Sequence, residues 1–426
     1  MIDDAPNIIS REDHSISRSN ISENALKVLY RLKAAGFSAY LVGGGVRDLL
    51  LDRIPKDFDI STDARPEDVR KLFRNCRLIG RRFRLAHVHF GDEIIEVATF
   101  RGDASAEDDE DLDREIVNGM IVRDNVYGTL QEDARRRDFT INSLYYNIND
   151  FSVVDYVGGL RDLKSNQLRL IGDAEQRYRE DPVRMLRAVR FAGKLGFKLE
   201  QSTEAPLKQL GHLLESVPPA RLFEEVLKLF LSGSSAETFR LLREYNLFKW
   251  LFLQTEEALL AETDGVFLKL IQEALKNTDE RVSQGKPVTP AFTISVFLWR
   301  PVAELKQRYL QRGMTEHQAL LEASEVVIAG QSQHVAVPRR FQTSLREIWQ
   351  LQDRFEKRAP KRSLRLLSHP RFRAAYDFLL LRATVGDVNN TLAEWWTELY
   401  NSEEKHRGVL VEKLTRRKRR RKTKRN

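Results

Sequence analysis

Two aspartates one residue apart, Asp57 and Asp59 in Lys56-Asp57-Phe58-Asp59-Ile60, are the first residues whose types and spacing could do chemistry. On a strand, residues i and i+2 project to the same face. Asp57 and Asp59 then stand together, with Phe58 and Ile60 buried behind them. Neighbouring carboxylates repel unless a cation lies between them. Mg²⁺ suits the position, because it is held by one or two carboxylates plus substrate phosphates. The plainer outcome for an isolated Asp-x-Asp is two solvated acids at a strand end. Here, however, Leu41-Val42-Gly43-Gly44-Gly45-Val46-Arg47-Asp48 lies just upstream and reads as a strand, a glycine turn and a helix start. Gly43 and Gly44 let the backbone approach a phosphate, the helix start favours an anion, and Arg47 adds a charged fork. An ordinary tight turn is the alternative.

Three further candidates follow. Glu96 sits within the β-rich run Ile94 to Phe100. An unpaired acid pointing inward there is costly, so it either faces solvent or completes a metal site from a neighbouring strand. Arg135-Arg136-Arg137-Asp138-Phe139-Thr140-Ile141-Asn142 sets a basic cluster against one acid. That combination suits a polyphosphate and a sugar hydroxyl, or a charged helix start with Asp138 as its cap. In Glu180-Asp181-Pro182-Val183-Arg184, Asp181-Pro182 makes a good helix start. Asp181 and Arg184 also share a helical face. A carboxylate accepting from an amino group beside an arginine donating to a ring nitrogen reads the edge of adenine or cytosine, and these residue types do not separate the two.

Elements that must hold these residues can be read around them. A helix is expected over Asn24 to Lys33, from Ala25, Leu26, Leu29 and Leu32. Strands are expected at 39–42, 58–61, 87–90, 94–100 and 151–157, and helices at 46–51 and 66–74. After about Gln176, helical periodicity dominates. The fold class is therefore α+β: a head with a small mixed sheet and flanking helices, then an all-helical neck and body. The expected divisions are a flexible segment 1–22, a catalytic head 23–172, a helical neck 173–250, a helical body 251–410 and a basic, disordered tail 411–426.

Charge is unevenly spread along the 426 residues. The net charge is +8, yet Arg416 to Arg425 alone holds nine basic residues and no acid, so residues 1–415 sum to −1. Asp103 to Glu115 holds eight acids against Arg114 and reads as a solvated loop. The tail seeks a polyanion or an acidic partner; a run kept for solubility is the plainer reading. One cysteine, Cys76, excludes a disulfide framework. Apolar runs are too short to span a bilayer and the N-terminus does not read as a signal peptide, so a cytoplasmic location is expected.

Taken in order, Leu41 to Asp48, Lys56 to Asp59, Arg136 to Asn142, Asp155-Tyr156-Val157-Gly158-Gly159 and Arg179 to Arg184 resemble the motifs of the class II nucleotidyltransferases. That family comprises bacterial poly(A) polymerases and CCA-adding tRNA nucleotidyltransferases. The segment Leu78 to Val88, the continued likeness through Asn277-Thr278-Asp279, Ile348 to Gln352 and His369 to Asp377, and the basic tail resemble the poly(A) polymerase branch. The likeness spans roughly residues 14–400. Two departures are Asp52, where glycine is frequent, and the acidity of 103–115.

The resemblance implies that Asp57 and Asp59 bind two catalytic Mg²⁺ ions, with Glu96 a further candidate ligand. It implies that Asp138 is a catalytic or ribose-binding acid, that Gly43, Gly44 and Arg47 hold the triphosphate, and that Asp181 and Arg184 read the base. The implied reaction adds AMP from ATP to RNA 3′ ends without a template nucleic acid and releases pyrophosphate, in a setting of mRNA polyadenylation and RNA decay. Decay proteins are candidate partners of the tail. The rivals are CCA addition to tRNA and a non-catalytic RNA-binding protein that keeps the fold.

Overall fold

In the computed structural model, the described residues are 5–80, 84–102, 114–117, 120–124, 126–358, 360–404 and 406–411. The basic tail from Arg416, acidic residues 103–113, and Arg81 to Phe83 lie outside them. The chain divides into two compact units, residues 1–210 and 211–426.

The first unit is built on a sheet whose strands, in chain order, are β1 (Asn7–Ile9), β2 (Ala39–Val42), β3 (Asp59–Thr62), β4 (Cys76–Ile79), β5 (Leu85–Phe90) and β6 (Glu93–Thr99). A separate hairpin, β7 (Arg114–Val117) and β8 (Met120–Asp124), precedes the last two sheet strands, β9 (Leu144–Asn147) and β10 (Val153–Asp155). The order across the sheet is β1-β10-β9-β2-β3-β6-β5-β4. The β3–β6 pair is parallel and every other neighbour is antiparallel.

Helix α1 (Glu23–Ala34) starts at Ser22, whose hydroxyl accepts from the Ala25 N–H at 3.0 Å. Its buried residues are Ala25, Val28, Leu29 and Leu32, an apolar stripe at helical spacing laid against the sheet. Helices α2 (Gly44–Leu50), α3 (Pro66–Leu72) and α4 (Leu130–Arg136) flank the sheet strands. α4 begins with a reciprocal Thr129–Glu132 capping box. Then come α5 (Gly159–Lys164), α6 (Ala174–Glu180) and α7 (Val183–Leu195). The turn into α5 is closed by Asp155, whose carboxylate accepts from the N–H groups of Val157 (3.1 Å), Gly159 (3.0 Å) and Leu160 (2.9 Å). A side chain at Gly159 would meet the Thr140 carbonyl oxygen at 2.2 Å, so only glycine fits.

Several boundaries differ from expectation. The N-terminal segment is not loose from residue 5 on. β1 pairs with β10, Ile16 and Ile21 are buried, and the His14 ring lies 2.8 Å from the Phe151 carbonyl oxygen. β10 offers an open edge of N–H and C=O groups, and three residues suffice to cover it. The acidic stretch is not all loop, since Arg114 and Glu115 open β7. Helices α6 and α7, expected in the neck, belong to the first unit. Strand pairing of Gln167–Leu168 with Lys198–Leu199 and ion pairs from α7 to Asp138 tie them to it.

The second unit is helical, from Pro219–Phe230 to Asn390–Asn401. Its core includes the mutually packed rings of Phe230, Phe239, Phe248, Phe252 and Phe297. Asp279 caps the helix Ser235–Glu244 by accepting from the N–H groups of Ser235 (2.7 Å) and Ala236 (3.0 Å). Trp349 donates to the Ser295 carbonyl at 3.0 Å. These residues of the body are structural staples. Among the described residues, no helix is long and apolar enough to cross a membrane.

Candidate active site

The glycine turn between β2 and α2 faces the acidic strand. Gly43 has φ +76°, a left-handed conformation that glycine adopts freely. A Cβ placed on it would lie 3.7 Å from Asp59 Oδ2 and 3.8 Å from Arg137 Nη1, so the turn, the acid and the guanidinium share one small space. Asp57 is exposed and precedes β3 rather than lying in it, while Phe58 and Ile60 are buried as expected.

β3 carries Asp59 opposite Glu96 of β6 in parallel register. Burial pushes the Asp59 carboxyl up to about 6; Glu96 adds to this, Arg137 opposes it, and Asp57 adds a little more. Among the described residues, no three His, Cys, Asp or Glu side chains converge closely enough to cage a metal ion. Glu96 instead receives a hydrogen bond from His87 Nε2 at 3.4 Å. The donor set is thus an open pair of hard oxygen ligands with a third acid behind, which fits Mg²⁺ completed by substrate oxygens.

Arg137 is fixed by a buried network that sequence reasoning did not single out. It donates to Asp133 Oδ2 (3.0 and 3.2 Å), the Tyr145 hydroxyl (2.8 Å) and Ser61 Oγ (3.0 Å), and the Tyr145 hydroxyl donates to Asp133 at 2.7 Å. Burial works against the Asp133 carboxylate, but Arg137 and Tyr145 outweigh it and hold its pKa below the usual range. Arg135 to Arg137 close α4 rather than opening a helix, so Asp138 is not a helix cap.

Asp138 faces α7. It accepts from Arg184 Nε at 2.9 Å and lies 2.5 Å from Arg187 Nη1. Burial opposes its charge, yet Arg187 and then Arg184 hold its carboxyl below the usual range. Arg184 also donates to Glu180 (3.1 Å) and to the Arg177 carbonyl (2.7 Å). Asp181 does act at the start of α7, accepting from the Val183 N–H at 3.3 Å, and it interacts electrostatically with Arg184. Arg187 is a site residue missed from sequence, although its spacing of three from Arg184 placed both on one face.

Arg47 departs from its expected role as an open fork on the phosphate turn. Its guanidinium is turned inward, 2% exposed, onto Asp48 (2.6 and 2.9 Å) and Asn142 (2.6 Å). It therefore ties the turn to the Asp138 segment. The reason is local: α2 is one side of a packed core, and a buried arginine must spend its donors on fixed acceptors.

The residues matched by family models follow this geometry. The "Poly A polymerase head domain" covers residues 39–169, the "Probable RNA and SrmB- binding site of polymerase A" covers 196–259, and the "Polymerase A arginine-rich C-terminus" covers 312–426. A Poly(A) polymerase I of Salmonella typhi is 53% identical over 401 residues, 93% of this chain and 86% of its own. The chain belongs to the bacterial poly(A) polymerase I family. Among more distant relatives of this family, a CCA-adding enzyme of Lactobacillus helveticus is 41% identical over 51% of this chain and 52% of its own. A solved tRNA nucleotidyltransferase complexed with a primer tRNA and an incoming ATP analog shares the fold of the family. Its TM-score is 0.56 at 25% identity, covering 87% of this chain and 98% of its own.

One prediction arises from Asp59. Its folded pKa of about 6 lies above the ordinary carboxylate value, so ionising it costs the folded state. That cost is absent below about pH 4, where the acid is protonated folded or unfolded, and complete above about pH 6. Asp59→Asn should therefore stabilise the divalent-free protein at pH 7.5, by on the order of 2 kcal/mol. Urea unfolding at pH 7.5 and pH 4 checks this; an equal gain at both pH values contradicts it.

Proposed function

We propose that the first unit adds AMP from ATP to RNA 3′ ends and releases pyrophosphate, with Asp57 and Asp59 as the metal-binding carboxylates. The observation that carries this reading is the convergence of the Gly43 turn, Asp59 and Arg137 in one space, in a chain of the poly(A) polymerase family. Two Mg²⁺ ions bound there supply Lewis acidity to the attacking 3′-hydroxyl and the departing pyrophosphate. Asp57 and Asp59 bind and orient. Gly43 and Gly44 admit the triphosphate close to the backbone, and Arg137 offers fixed positive charge beside it. Arg47 positions the turn through Asp48 and Asn142.

Asp181 and Arg184 are proposed to read the incoming base, with Asp138 and Glu180 holding the Arg184 guanidinium in one plane. A fixed arginine selects better than a mobile one, because its orientation is set before the base arrives. The RNA backbone is proposed to run over basic surface, including the tail, with an affinity that falls steeply with salt. Decay proteins are proposed as partners of the tail.

The reading over CCA addition rests on relatives matched along nearly the whole chain rather than half of it. Extension assays with each nucleotide separately, on an unstructured RNA and on a tRNA lacking its end, test it. ATP alone should support long extension of the unstructured RNA. Efficient CTP use with a stop after three additions would overturn the choice.

A further inference from the structure

Five residues on five adjacent strands stand in register: Val42 on β2, Asp59 on β3, Glu96 on β6, His87 on β5 and Arg77 on β4. Directly paired residues point to the same face of a sheet. A polar row therefore leads from the glycine turn outward to the edge strand, and its middle members are Glu96 and His87.

Glu96 is half-exposed, with 41% of its side chain accessible, and glutamate has three rotatable bonds with which to turn toward solvent. What restrains it is His87. Among the described residues, the His87 ring is the one hydrogen-bond partner of the Glu96 carboxylate, Nε2 to Oε2 at 3.4 Å. A carboxylate only accepts, so the proton lies on Nε2. His87 is itself half-buried, and its ring packs edge-on to His89 two residues along, with centroids 6.3 Å apart.

We propose that His87 is a positioning residue for the reaction: it holds the Glu96 carboxylate beside Asp59, and through Glu96 it sets the negative field in which Asp57 and Asp59 receive a divalent cation. The proposal rests on the reading of Asp57 and Asp59 as the cation-binding pair. Glu96 is paired directly with Asp59 in the parallel β3–β6 register, so the two acids stand side by side on one face of the sheet. If Glu96 swings into solvent, that field is screened and the pair attracts a dication less strongly. Outer partners that orient acids near a metal commonly govern its affinity by roughly tenfold or more.

The test measures Mn²⁺ binding to the full, nucleotide-free chain by electron paramagnetic resonance. It uses the wild type, His87→Ala, His87→Gln, Glu96→Gln, the double variant His87→Ala/Glu96→Gln, and Asp59→Asn. His87→Ala is expected to raise the Mn²⁺ Kd roughly tenfold. His87→Gln, which keeps an N–H donor of similar reach, should restore it to within about threefold. In the Glu96→Gln background, removing His87 should change nothing further, because the effect passes through that carboxylate. In extension assays, His87→Ala should shift the half-saturating Mg²⁺ concentration by a similar factor and leave the KM for ATP at saturating Mg²⁺ unchanged.

Normal Mn²⁺ binding by His87→Ala, alongside loss by Asp59→Asn, overturns the role of His87 and leaves the metal pair standing. A further loss in the Glu96→Gln background overturns the route through Glu96. Wild-type Mn²⁺ binding by Asp59→Asn overturns the metal pair itself, and this inference with it.

Discussion

Replacing Asp57 by alanine is expected to lower AMP addition by at least about 10³-fold while leaving RNA affinity within about twofold. The loss corresponds to roughly 4 kcal/mol of transition-state stabilisation, the scale of a preorganised charge at a reacting phosphate. The fold should be indifferent to the change. Asp57 is exposed, lies outside β3, and has no hydrogen bond or ion pair among the described residues, so nothing is orphaned when it goes. RNA binding should hold, and removing one negative charge can only help a polyanion approach. Single-turnover primer extension and fluorescence anisotropy on the same preparation check both halves. Extension within tenfold of wild type would show that the carboxylate pair has been wrongly placed.

The second large effect is structural before it is catalytic. Asp138→Ala removes the acid that compensates Arg184 and Arg187 in a buried position. Breaking a buried pair by deleting one partner typically costs about 3–5 kcal/mol. Arg187 can relax toward solvent, being 40% exposed, but Arg184 at 10% cannot. The lower half of that range is therefore expected, about 3 kcal/mol, or a fall of roughly 6–12 °C in Tm for a unit of this size. AMP addition should fall with it, because Arg184 loses one of the bonds that hold its plane and keeps only those to Glu180 and the Arg177 carbonyl.

The pH dependence of this effect has a definite sign. The folded pKa of Asp138 is depressed, so its stabilisation is complete above the ordinary carboxylate value near pH 4. It is lost as pH falls through the folded value. The stability gap between wild type and Asp138→Ala should stay constant from about pH 5.5 to 8 and narrow below about pH 4. Urea titrations at several pH values measure it. A gap that widens on acidification would contradict the ion-pair account.

How much of this was legible beforehand depended on how local each signal was. The Gly43 turn and Asp57–Asp59 announce themselves within a few residues, because glycines and alternating acids have direct backbone meaning. The Asp138–Arg184 constellation was legible as two separate motifs, but their meeting was not. Asp138 looked like a cap for a helix to come, whereas the structure ends a helix just before it and aims its carboxylate at α7. Nothing near Tyr145 suggested that its hydroxyl would bind Asp133 and Arg137, since an aromatic in a strand reads as core. The parallel pairing that sets Glu96 beside Asp59 spans 37 residues of chain, and register of that kind has no local signature. Arg47 failed differently. Its position was right, but a side chain's direction follows the packing around it, and Asp48 and Asn142 claimed it.

The long reach of these pairings bears on synthesis. β1 covers an edge supplied by residues 153–155, Arg47 waits for Asn142, and Asp138 waits for Arg184 and Arg187. A chain emerging from the ribosome carries its glycine turn and acidic pair early, yet the site assembles only after α7 has cleared the exit tunnel, near residue 195. An interrupted product that ends before residue 184 holds the acids and the turn but lacks the arginine proposed to read the base, and should be inert toward RNA ends.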